Sequence, residues 1–207
     1  EAALGAAYVE SLYMALLHRY SGRDDIAVGI PVAGRQPLPG GPDPSGLIGF
    51  FVNTLVIRAR PRRAAWLGDW LDAVRRSVAE AFDHADLPFA RVVELCGVTR
   101  DASRTPLFET MFQYQGEGYR AQNAELISAG DSAHGDRGFG GLRVEQGWVE
   151  LAHTKFDLSW HVLERESGLL LAIEYRSALF EHARIEAMLG HFRRLLDAAL
   201  PALAARR

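Results

Sequence analysis

The chain has 207 residues, 48% hydrophobic and 24% charged, enough apolar material to bury one substantial core at the size of a single domain. Its formal net charge of −3 offers no broad excess of positive charge for phosphate neutralisation, which weighs against nucleic acid as a partner. Cys96 is the only cysteine, which excludes a disulfide framework or thiolate metal cluster; no stretch approaches the roughly 18 apolar residues of a membrane span or forms a secretory leader, so a cytoplasmic setting is expected.

The chain begins Glu-Ala-Ala in what reads at once as helix, and a start inside a longer polypeptide is the expectation. Ala3, Ala6, Ala7, Leu12, Ala15 and Leu16 predict an amphipathic helix through about His18, ended by Ser21-Gly22. Ile26 to Val32 reads as a strand. After a Pro/Gly-rich loop over 36–45, Leu47 to Ile57 reads as a second strand, apolar enough to be covered on both faces. Trp66 to His84 carries Leu67, Trp70, Leu71, Val74, Val78, Ala81 and Phe82 at helical spacing, and Pro88 can open a short helix over Phe89–Leu95.

Pro106 opens a predicted strand over Leu107–Tyr114, followed by a long Gly/Ser/Asn/Asp-rich loop over 116–141 of the length that is either mobile or functional. Strands are then expected over Leu142–Leu151, Phe156–Leu163 and Leu169–Tyr175, the last two forming a hairpin through Glu164–Gly168. A helix over Ile185–Leu200 presents Ile185, Met188, Leu189, Phe192 and Leu196 on one face, and 201–207 reads as a frayed end or the start of a linker. The expected architecture is a two-layer α/β sandwich: one unit over 1–200, with a mixed sheet flanked by helices.

Three segments in order resemble core motifs of the condensation domains of nonribosomal peptide synthetases. Ile48-Gly49-Phe50-Phe51-Val52-Asn53-Thr54-Leu55-Val56-Ile57-Arg58 resembles the fifth, His84-Ala85-Asp86-Leu87-Pro88-Phe89 the sixth, and Arg100-Asp101-Ala102-Ser103-Arg104-Thr105-Pro106-Leu107 the seventh. Ala85 stands where Gln is commoner and Thr105 where Asn is commoner. Arg19-Tyr20-Ser21-Gly22, Gly29 to Arg35, Lys155-Phe156-Asp157-Leu158 and Gly190-His191-Phe192 are similar to the family's flanking stretches.

The resemblance implies the C-terminal lobe of a two-lobed, chloramphenicol acetyltransferase-like fold with a tunnel between the lobes. Carrier proteins would deliver thioesters on phosphopantetheine arms from opposite ends, no cofactor being bound by the chain itself. The base, the second histidine of a His-His-x-x-x-Asp-Gly motif, belongs to the N-terminal lobe, and no two histidines are adjacent here. No catalytic residue is therefore assigned, and the isolated chain is expected to be inactive, with the absent lobe leaving an apolar face exposed.

Gly49, Phe51 and Asn53 are candidates for lining the tunnel, with the alternatives that the Asn53 amide simply satisfies buried backbone groups and that Gly49 permits close backbone approach. Pro88, Phe89, Arg100, Asp101, Arg104 and Pro106 are expected to be scaffold: a helix start, a core anchor and a charged turn. His84 suits a helix-end cap or a surface hydrogen bond. The other histidines lack metal spacing, so no metal site is expected, and nucleophile-elbow, phosphate-loop and dinucleotide motifs are absent. The alternatives are a non-catalytic module that recruits a carrier protein or tailoring enzyme, and a stand-alone acyltransferase, against which the missing histidine pair argues.

Overall fold

In the computed structural model, residues 2–35, 41, 43–61, 67–98, 101, 104–116, 153–165 and 168–204 are described. Their elements in chain order are α1 (Ala2–Ser21), β1 (Ile26–Val32), a 3₁₀ turn (Pro44–Gly46), β2 (Asn53–Ala59), α2 (Leu67–Asp83), α3 (Phe89–Leu95), β3 (Thr110–Gln115), β4 (Leu158–Arg165), β5 (Gly168–Tyr175) and α4 (His182–Ala204). The expected loop over 116–141 and strand over 142–151 lie almost wholly outside the described residues.

Among the described residues, five strands form one mixed sheet in the order β2-β1-β3-β4-β5. The outer pairs are antiparallel, β1 with β2 and β4 with β5, while β3 runs parallel to both β1 and β4. Alternation along the strands divides side chains between two faces. Val28, Ile57, Phe112, Trp160 and Ile173 point toward α1, α2 and α4, forming the core with Tyr13, Trp70, Val74, Ile185, Met188 and Phe192. Trp160 is fully buried, with its ring 4.8 Å from that of Tyr13 and 5.0 Å from that of Phe192. Trp70 joins helix to helix by donating its indole N–H to the Ser11 carbonyl at 2.9 Å.

Helix α1 departs from the expected amphipathic stripe. Every residue from Val9 to Met14 is buried, including Glu10 and Ser11, because the helix is packed against α2, α4 and the sheet together. Its end is as expected: Gly22 adopts a left-handed φ of 67° and donates its N–H to the His18 carbonyl at 2.9 Å.

The second strand also differs. It was expected over 47–57 and covered on both faces, but pairing begins only at Asn53, opposite Val32, and continues to Ala59, opposite Ile26. Residues beyond the end of β1 have no ladder partner, so 47–52 lie outside the sheet despite their strand-like composition. As an edge strand, β2 buries Leu55, Ile57 and Ala59 on one face and leaves the other partly exposed.

Strands β3 and β4 each start later than expected, and residues 106–109 form an irregular entry to β3. Helix α2 occupies Leu67–Asp83 and α3 matches its expected span. Helix α4 continues four residues past its expected end, with Pro201 in its final turns, where the lost hydrogen bond affects only the end of the helix. No helix among the described residues is long and apolar enough to cross a membrane.

Candidate functional site

The face of the sheet opposite α1, α2 and α4 is built from the alternate residues of each strand. It carries Thr54, Val56 and Arg58 of β2, Gly29 and Pro31 of β1, Met111 and Gln113 of β3, Ser159 and His161 of β4, and Ala172 and Glu174 of β5. Most are half-buried, whereas Gly29, Met111 and Ser159 are buried. Across its centre, His161 Nδ1 lies 3.1 Å from Gln113 Oε1 and its Nε2 lies 3.7 Å from Glu174.

An aromatic wedge closes one end of this face and joins two of the sequence motifs. Leu107 has a φ of 72°, a left-handed conformation costing a non-glycine residue about 1 kcal/mol, and the bend places the Phe108 ring against Gly29. A side chain at position 29 would overlap that ring, so this strand position accommodates only glycine without rearrangement. Phe108 also packs against Phe89 at 5.6 Å and Phe156 at 5.5 Å between ring centroids.

Asn53, a tunnel-lining candidate, stands at the junction of the fifth-like and sixth-like motifs. Its Nδ2 donates to the Ala85 carbonyl at 2.8 Å and the Leu87 carbonyl at 2.9 Å, and its Oδ1 accepts the Phe89 N–H at 3.0 Å. Both ends of the carboxamide are thus engaged with the backbone of the turn between α2 and α3. Pro88 precedes α3 with extended backbone, and its carbonyl accepts N–H bonds from Arg91 and Val92, as a helix start requires. His84 lies in the same turn, exposed, with its backbone N–H donated to the Ala81 carbonyl.

The other two tunnel candidates lie on the segment leading into β2. Arg35 organises it by donating from Nη1 to the carbonyls of Pro44 (3.1 Å) and Leu47 (2.7 Å) and from Nη2 to that of Gly49 (3.3 Å). The Arg35 guanidinium also stands 4.4 Å from the centroid of the Phe51 ring, a cation–π contact. Gly34, at a left-handed φ of 63°, lies so close to the Phe51 carbonyl that a Cβ there would collide with it. With Phe51 turned toward Arg35, Ile48 and Phe50 project outward at 104% and 90% exposure, and Leu47 and Val52 are about half exposed. Four large apolar side chains on six consecutive residues are thereby exposed, on a segment that lies outside the sheet.

Among the scaffold residues, Arg104 pairs with Glu109 at 3.1 Å and donates its backbone N–H to the Asp101 carbonyl, closing a turn before β3. Pro106 is half-buried, and Arg100 lies outside the described residues. No cluster of three metal-ligating side chains occurs among the described residues. Sequence reasoning missed the organising role of Gly34 and Arg35; a Gly-Arg pair one residue beyond the end of a strand was the available signal.

The family model described as "Condensation domain" matches residues 8–206. Tyrocidine synthase 2 of Brevibacillus parabrevis is 37% identical over 186 residues, covering 90% of this chain and 5% of that much longer protein. The condensation domain of the Monacolin K polyketide synthase MokA superposes with a TM-score of 0.67 at 24% identity, covering 92% of this chain and 40% of that one. The X-domain in its complex with OxyB from teicoplanin biosynthesis gives a TM-score of 0.73 at 21% identity, covering 93% of this chain and 39% of that one. The two-layer α/β architecture is that of these structures, and with a family match spanning nearly its full length, the chain belongs to the condensation domain family.

Proposed function

We propose that the chain is the C-terminal lobe of a condensation domain, residues 1–200, that forms peptide bonds between thioesters held on carrier proteins in the cytoplasm. The observation that carries this reading is the exposed apolar segment of Leu47, Ile48, Phe50 and Val52, in a chain that covers about 40% of a solved condensation domain. Burying apolar side chains of this size contributes roughly 1.5–3 kcal/mol each, which suits an interface between two lobes.

In the proposed reaction the acceptor amine attacks the donor thioester carbonyl. The C–N bond forms, the C–S bond breaks, and the donor pantetheine departs as thiol after receiving the proton taken from the amine. A histidine of the N-terminal lobe serves as base. This lobe supplies a wall: Gly49 and Phe51 border the tunnel on the Arg35-held segment, and Asn53 sets the position of the turn carrying Pro88 and Phe89. Arg104, Asp101 and Pro106 support the entry to β3, and Arg100 belongs to the same turn in sequence. Phosphopantetheine arms enter on the carriers.

The test uses the longer polypeptide that carries this chain, with a donor and an acceptor carrier, each loaded with a thioester. Amide product from that polypeptide, and none from the 207 residues alone, is expected. A polypeptide that forms no amide but binds a tailoring enzyme saturably would overturn the reading in favour of a recruitment module, a role the shared fold accommodates equally well. Amide formation by the 207 residues alone would instead revive the stand-alone acyltransferase.

A further inference from the structure

The tail of the edge strand β2 is the most basic stretch of this chain: Arg58, Arg60, Arg62 and Arg63 fall within six residues of a protein whose net charge is −3. Arg62 and Arg63 lie outside the described residues. Arg58 makes a forked contact with Asp25, from Nε at 2.8 Å and Nη2 at 2.6 Å, and Arg60 reaches the same carboxylate from Nε at 3.1 Å. One carboxylate thus serves two guanidinium groups, leaving a net positive charge. The hydrogen bond from Arg58, with a further one from Arg60, holds the Asp25 carboxyl at about 2, so this arrangement stays fully charged at any working pH.

Both arginines are more than half exposed. Together with Ala59 and Ala73 they line a depression of about 360 Å³ whose small alanines leave the guanidinium groups accessible. The Ser77 hydroxyl donates to the Arg58 carbonyl at 2.9 Å and fixes the rim against α2. Among the described residues Arg60 engages Asp25 only through Nε, which leaves its two terminal nitrogens for another acceptor. Arg58 shares one face of β2 with Val56 and Thr54, half-buried side chains that run back along the strand from this rim.

We infer that Arg58 and Arg60 form a docking site for the phosphodiester that joins the pantetheine arm to its carrier protein. The inference rests on the carrier-dependent reading above and deepens it. A phosphodiester bears one negative charge over two terminal oxygens, a match for forked guanidinium donors, and it sits where the arm leaves the carrier.

The test measures binding of a carrier domain from the same synthetase, in its holo form and in the apo form that lacks the phosphodiester, to the longer polypeptide carrying this chain, without turnover. The wild type is expected to bind holo-carrier more tightly than apo-carrier. Arg60→Glu, which preserves the Arg58–Asp25 fork, should weaken holo binding about tenfold or more and leave apo binding unchanged. Asp25→Asn should maintain or tighten holo binding, because it removes the competing anion; a purely structural role for the cluster requires a loss instead. Equal weakening of holo and apo binding by Arg60→Glu, or no weakening, would overturn the phosphodiester assignment. Failure of the wild type to bind either form would overturn the carrier reading itself.

Discussion

Asn53 offers a direct test of whether a motif side chain contacts substrate or holds the site together. Truncation to alanine removes three hydrogen bonds of 2.8–3.0 Å and leaves the carbonyls of Ala85 and Leu87 and the N–H of Phe89 without that partner. At about 1 kcal/mol net per bond, moderated by partial exposure of the turn, Asn53→Ala should cost about 2–3 kcal/mol. Asn53→Asp keeps the acceptor for Phe89 but sets a carboxylate oxygen against two carbonyls, so it should cost at least as much and recover partly at acidic pH. Urea unfolding of the protein, followed at several pH values, measures both. Wild-type stability in Asn53→Asp, or a loss below about 0.5 kcal/mol in Asn53→Ala, would refute a positioning role. A raised KM for small thioesters at unchanged stability would assign Asn53 to substrate contact.

Glu10 is 3% exposed, and its Oε1 lacks a hydrogen-bond partner among the described residues; burial pushes its carboxyl up to about 8. The folded state then holds this proton more tightly than the unfolded state, so stability should fall as pH rises from about 4.5 to 8, by roughly 3 kcal/mol at pH 7. Glu10→Gln should flatten the profile in that window; an unchanged slope in pH-dependent unfolding would count against it. Gly29→Ala forces a methyl into the Phe108 ring and should cost about 1–3 kcal/mol. In a Phe108→Ala background the same change should be nearly neutral, and additive losses in a double-mutant cycle would contradict the close approach.

The order of the described elements was legible in the chain because each is governed by local chemistry. The periodic apolar residues of α2 and α4, Pro88 before α3, Gly22 after α1 and the hairpin of β4 and β5 each act over a few residues. The motif string around Phe50, Pro88 and Pro106 was equally readable, and it identified the family before any contact was known.

What only the tertiary structure decided depends on which distant residues become neighbours. Leu47–Val52 has the composition of a strand, yet β1 ends opposite Asn53, so those side chains remain outside the sheet. The apolar periodicity of α1 reads as one stripe, but its packing against two helices and the sheet buries Glu10 as well. Asn53 could be named as polar in an apolar run, while its partners lie 32 to 36 residues away. Arg58 and Arg60 form a cluster only because β1 and β2 pair with Ile26 opposite Ala59, which brings Asp25 beside both. Sequence periodicity specifies which face of an element is apolar; pairing register and packing determine what that face meets, and long-range contacts of that kind create the site.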